Sequence, residues 1–109
     1  MPTYYTLISS GFAVSPTVDL NQENRVLAIG VPGVTSGDLL LQGSFSTTSA
    51  DFQRLLETRG QGSGDLRFAV GPGSRMVTGP LIYAPPYIRA EMSVNQTDNR
   101  TLTLLTARW

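Results

Sequence analysis

The side chains in this sequence best suited to chemistry are its carboxylates. There are eight: Asp19, Glu23, Asp38, Asp51, Glu57, Asp65, Glu91 and Asp98. Two of them facing each other across roughly 5–9 Å, one with a raised pKa, would make a glycosidase. Oxygen ligands alone would also suit calcium, but the sequence has no Asp-x-Asp-x-Asp-Gly loop. Most of these acids fall at expected strand ends and turns, where a carboxylate bonds its own backbone. Solvation and turn capping are therefore their expected roles. The chain has no Cys, no His and no Lys. It thus lacks the usual zinc and iron–sulfur ligands, Cys nucleophiles, Ser-His-Asp triads, Schiff-base lysines and the Lys of a phosphate loop. A disulfide framework is impossible, so packing must supply the stability. Gly60, Gly62 and Gly64 precede an expected strand rather than a helix, which makes a hairpin loop of them and not a phosphate cradle. The expectation is a protein without catalytic residues, metal or cofactor.

The basic residues are all Arg: Arg25, Arg54, Arg59, Arg67, Arg75, Arg89, Arg100 and Arg108. They balance the acids to a formal net charge of zero, and charged residues are 15% of the chain against a usual share of about 25%. Neutrality argues against a nucleic-acid binder that neutralises phosphates. Arg without Lys is the composition of contact surfaces; codon usage in a GC-rich genome produces the same bias, and both readings stand. Tyr4, Tyr5, Tyr83, Tyr87 and Trp109 could form a sugar-binding platform, although aromatics more often fill a core or line a subunit contact. Asn95-Gln96-Thr97 and Asn99-Arg100-Thr101 match a glycosylation sequon. The start of the chain has no basic, apolar leader pattern, so these are expected to be chance matches.

The elements that must position these residues are short. The chain of 109 residues is one domain. Eleven Gly and seven Pro separate runs rich in Val, Ile, Leu, Thr, Tyr and Phe. Many short strands with frequent turns predict an all-β, antiparallel sandwich or barrel-like domain, jelly-roll or Ig-like. Residues 1–10 are expected to be an extended N-terminal arm or an edge strand. Residues 12–20, broken by Pro16, read as an irregular edge. Residues 25–31 form a strand with Leu27 and Ile29 on one face and Val26 and Ala28 on the other, closed by Pro32-Gly33. Further strands are expected over 38–45, 66–70 and 75–83. Residues 52–57 read as a strand, with a short helix capped by Ser49 as the competing reading. In 87–94, Ile88, Ala90, Met92 and Val94 alternate with Arg89, Glu91 and Ser93. In 100–108, Leu102 and Leu104 alternate with Thr101 and Thr103. These two strands, joined by a polar turn, are expected to form a hairpin. No apolar run reaches the roughly 18–20 residues of a transmembrane helix.

Gly79-Pro80, then Ile82-Tyr83-Ala84-Pro85-Pro86-Tyr87-Ile88-Arg89-Ala90, followed by Arg100-Thr101-Leu102-Thr103-Leu104, resembles a pattern in small all-β virion proteins of tailed bacteriophages. Gly37-Asp38-Leu39-Leu40-Leu41-Gln42-Gly43-Ser44 is similar to the preceding sheet strand. The likeness covers about residues 25–108. It implies a structural, non-enzymatic role: a head decoration (cement) protein, or a neck or tail part. The implied partners are the major capsid protein or other virion proteins and further copies of the chain, with a trimer as the suggested oligomer. No nucleic acid and no membrane are implied, and the place is the virion, after synthesis in the host cytoplasm. The expected contact residues are Pro2, Tyr4, Tyr5 and Leu7 of the N-terminal segment, the corner Pro85, Pro86 and Tyr87, and the terminal Arg108 and Trp109. Trp and Arg are frequent anchors of interfaces. A carbohydrate-binding or receptor-binding β domain is the alternative.

Overall fold

The computed structural model describes residues 3–34, 37–55, 66–69, 73–81 and 84–108. The strands among them are β1 Thr3–Ile8, β2 Val18–Asp19, β3 Arg25–Val34, β4 Asp38–Ser44, β5 Gln53–Arg54, β6 Arg67–Ala69, β7 Gly73–Leu81, β8 Tyr87–Met92 and β9 Arg100–Ala107. One sheet has the order β1-β9-β3-β7. The other has the order β2-β8-β4-β5, and β6 also pairs with β4. Every strand pair is antiparallel.

The pairings nest. β4 pairs with β5 and β6, β3 with β7, β2 with β8 and β1 with β9. One long hairpin would pair in that sequence, and rolling it up sends alternate strands to opposite sheets. The product is a jelly roll, one of the two sandwich types expected. Residues 3–8 are built into it as an edge strand rather than a free arm, paired residue for residue with β9 from Thr3↔Leu105 to Ile8↔Arg100.

Alternation explains the core. Leu39, Leu41, Ile88, Ala90 and Met92 of one sheet meet Val26, Ile29, Val31, Leu102 and Leu104 of the other, with Ile8, Val18 and Leu20 closing one side. Thr101 and Thr103 lie on the opposite face of β9 from Leu102 and Leu104, as their alternation predicts.

Local structure departs from the simple reading in four places. The expected hairpin of 87–94 with 100–108 does not form: β8 lies in one sheet and β9 in the other, so the turn between them crosses the sandwich. In β3 the facing set is Val26, Ile29 and Val31, all buried. Against β9, Val26 pairs with Thr106 and Ala28 with Leu105, so Leu27 is one residue too many. That bulge moves Ile29 onto the side of Val26. β3 also does not stop at Pro32-Gly33; it runs to Val34, which pairs with Gly73, and the Pro sits within a second register shift, where its missing N–H does no harm. Of the strand expected over 52–57, the described residues hold Gln53–Arg54, which follows a 3-10 turn at Ser49–Asp51; residues 56 and 57 lie outside the described residues. Thr48, not Ser49, stands at the start of that turn, and no side chain caps it. The Gly60, Gly62 and Gly64 loop lies outside the described residues.

The bulge sets unequal costs for neighbouring residues. Ile29→Ala should destabilise the protein by about 2–5 kcal/mol, the usual range for emptying a buried aliphatic site. Leu27→Ala, at a half-buried position, should cost less than half as much. Urea unfolding of both variants checks the order; strict alternation along 25–31 requires equal costs.

Candidate functional site

The direction of each β1 side chain follows from its neighbours. Thr6 and Ile8 are buried, so Tyr4 faces inward with them and Tyr5 and Leu7 face out. Tyr4 packs against the core, and its hydroxyl donates to the Leu20 carbonyl at 3.1 Å. Thr6 Oγ1 donates to the Pro16 carbonyl at 3.4 Å. These two bonds tie β1 to the segment leading into and out of β2. Tyr4 therefore holds the fold, while Tyr5, 70% exposed, and Leu7, 38% exposed, stand on the surface.

The register extends that surface across the whole sheet. Tyr5 lies opposite Thr103, Thr103 opposite Gly30, and Gly30 opposite Met76. The next row is Thr3, Leu105, Ala28 and Thr78, and Leu7 opposite Thr101 begins a third. No charged side chain belongs to these rows; charge returns with Arg25, opposite Ala107. Met76 is 67% exposed. A Cβ on Gly30 would lie 3.5 Å from Thr103 Cβ and 3.9 Å from Met76 Cε. The Met76 methyl thus reaches across Gly30 toward Thr103, and the row is a continuous, shallow, neutral strip.

The outer face of the second sheet is the opposite in character. Leu39 and Leu41 point into the core, so Leu40 and Gln42 share the other side of β4. There Arg54 grips Glu91 with two bonds, Nε to Oε1 at 2.9 Å and Nη2 to Oε2 at 2.6 Å. Gln42 donates to Glu91 Oε1 at 2.8 Å and accepts from Arg89 Nε at 2.8 Å. Arg89 also donates to Ser49 Oγ at 3.0 Å and lies over the Phe52 ring, 4.1 Å from its centre. The network joins β4, β5, β8 and the 3-10 turn. The bond from Arg54 is the main cause holding the Glu91 carboxyl below its ordinary pKa; burial opposes it, and Gln42 assists. A carboxylate so held is a fixed anion, unsuited to donate a proton.

Of the other acids described, Asp19, Asp38, Asp51 and Asp98 cap turns or meet Arg, while Glu23 Oε2 is buried without a hydrogen-bond partner. Asp19 Oδ1 accepts the Asn21 N–H at 2.8 Å, in a turn where Asn21 and Gln22 have positive φ. Asp51 accepts from Ser46 Oγ at 2.6 Å. Asp38 pairs with Arg67 at 3.1 Å, and Asp98 with Arg100 at 3.8 Å. Asn99, of the second sequon, accepts the Ser10 N–H through Oδ1 at 2.8 Å. Among the described residues no three His, Cys, Asp or Glu side chains gather as metal ligands would.

The expected contact residues separate. The Pro85 ring lies on Gly43 and leaves no room there for a Cβ, and the Pro86 carbonyl accepts the Leu20 N–H at 3.0 Å. This corner fixes the start of β8; Pro86 is exposed and Tyr87 half-buried. Arg108 is exposed beyond the end of β9. Pro2, Tyr83 and Trp109 lie outside the described residues. The large exposed aromatics among the described residues, Tyr5, Phe12 and Phe45, stand on three different segments. Met76, Gly30 and Thr103 were not among the expected contacts. The Thr alternation of residues 100–108 already placed Thr103 on the open face, but its neighbours across the sheet depend on register.

No protein-family model matches the chain, and no curated protein matches it in sequence. The geometry therefore stands alone: a polar, cross-braced face on one sheet, and on the other a neutral strip ending at β1, along whose outer side no strand pairs among the described residues.

The brace has a pH signature. A carboxyl with a depressed pKa in the folded protein adds stability above its unfolded pKa and loses it as pH falls through the folded value. Arg54→Met should cost about 1–3 kcal/mol at neutral pH, toward the low end because Arg54 is half exposed. The gap between variant and wild type should close as pH falls below the ordinary carboxylate range. Unfolding free energies measured along a pH series check both statements.

Proposed function

We propose that the chain is a non-enzymatic structural protein of a virion, a decoration or cement protein that binds the outside of a phage head and strengthens contacts between capsomers. The observation that carries this reading is the neutral strip across the outer face of the β1-β9-β3-β7 sheet, with Tyr5 and Met76 standing out of it. A flat, uncharged strip with a few large side chains suits burial against another protein, since no ion has to be desolvated. The nested strand order adds support, because jelly rolls recur among viral capsid domains. The fold alone does not fix a role; the reading also draws on the short motifs of residues 82–90 and 100–104 that resemble a phage virion pattern.

In this reading the major capsid protein, or another virion protein, covers the face around Met76, Thr103 and Tyr5. Arg108 and the exposed rim of the Pro85–Tyr87 corner contribute at the margins. Each contact is modest, and repetition over a shell supplies the strength. The Arg54–Glu91 brace stiffens the sheet that faces away.

Cosedimentation with empty heads tests the reading. The wild-type chain should bind saturably. Met76→Asp sets a charge in the middle of the neutral strip and should weaken binding by at least about tenfold, or some 1.4 kcal/mol, with its unfolding midpoint unchanged. Absence of saturable binding to heads, necks and tails alike would sink the proposal.

A further inference from the structure

The edges of the two sheets are not alike. β2 and β5 have two residues each, and β6 has three. Asp19, Arg54 and Arg67 put charge on them. β7 carries Gly73, Gly79 and Pro80 and is thrown out of register twice against β3. Short length, charge, Pro and bulges are the devices that keep a strand edge from pairing with another chain. β1 has none of them. Its sequence is Thr-Tyr-Tyr-Thr-Leu-Ile, six residues without charge, Gly or Pro, in unbroken register with β9. Among the described residues no strand pairs along its other side.

We propose that this edge pairs with β1 of a second copy, antiparallel about a two-fold axis, joining two four-stranded sheets into one of eight strands. A two-fold makes each contact twice, residue i against j and j against i, so an edge carrying charge of one sign would repel itself. β1 and the outward-facing rows behind it carry no charge, and on that face the copies meet without repulsion. Residues opposite each other in an antiparallel pair point to the same side, so only alternate registers are allowed. The register with Thr6 on the axis sets Tyr5 of each copy opposite Leu7 of the other, and Tyr4 opposite Ile8. It covers the two large side chains that β1 leaves exposed, Tyr5 and Leu7, and it sets Tyr4 against β-branched Ile8 and Thr against Thr at the centre; both of these kinds of pair are favourable. The neutral strip then runs continuously across both copies. The inference deepens the interface reading of this face by naming the occupant of its edge.

Sedimentation equilibrium over a wide concentration range tests it on the full chain. The wild type should be dimeric at high concentration. Tyr5→Lys with Leu7→Lys sets like charges opposite each other and should give a monomer. Tyr5→Lys with Leu7→Glu sets opposite charges together in this register and should restore the dimer. Both positions face solvent, and circular dichroism should show the fold of all three proteins unchanged. A wild type that stays monomeric at every concentration overturns the inference without recourse to any variant. So does a dimer indifferent to the two lysines, or one that the Lys–Glu combination fails to restore. A monomeric wild type that still binds empty heads removes this inference and leaves the virion reading; a dimer that ignores heads does the reverse.

Discussion

The inner sides of β4 and β8 must lie flat against the inner sides of β3 and β9, and nearly every other feature answers to that contact. Leu39, Leu41, Ile88 and Met92 fill one half of the layer, and Val26, Ile29, Leu102 and Leu104 fill the other, all essentially without exposure. With no disulfide available, this layer carries the stability. Flat contact between twisted sheets needs local adjustment. The extra residue at Leu27 gives it on one side of β3, and the shift around Pro32-Gly33 gives it on the other. Without the first, Ile29 would point outward and a side chain of the core would be lost to solvent.

The two outer faces solve a common problem differently. β4 and β8 present Gln42, Arg89 and Glu91 to the outside, and these bond to one another and to Arg54. The polar groups satisfy each other across three strands, so that face is self-sufficient. The β1-β9-β3-β7 sheet presents Thr, Tyr, Leu, Gly and Met, which make few such demands on one another. Its side chains are left with unspent capacity for contact. The asymmetry gives the molecule a direction, one face closed upon itself and one open to a neighbour.

Alternation was the strongest signal in the sequence, and it was legible where a strand is straight. Ile88, Ala90, Met92, Leu102 and Leu104 are buried as their spacing requires, but Val94, in phase with the first three, lies past the end of β8 at Met92 and is exposed. Alternation says which way a side chain points and nothing about which strand lies beside it. That is why two alternating strands with a polar turn between them read as a hairpin while the chain crosses to the other sheet. A bulge is equally silent: Leu27 looks like any other residue of an apolar run. Arg54 and Glu91 were legible as charges but not as partners, since β5 and β8 meet only through β4. The row from Tyr5 to Met76 has the same origin, four residues from four strands brought into line by three registers.

Nested pairing also orders events in time. Thr3 meets Leu105 and Ile8 meets Arg100, so β1 leaves the ribosome long before its partner exists. Meanwhile β4 can close on β5 and β6, and β3 on β7, without it. The pairings therefore rise in sequence separation from β4–β5 to β1–β9, and pairings between distant segments are the slow kind to form. Until β9 arrives, both sides of an uncharged, β-prone strand are bare. Newly made chains crowded on one message would meet through that strand before either had finished folding.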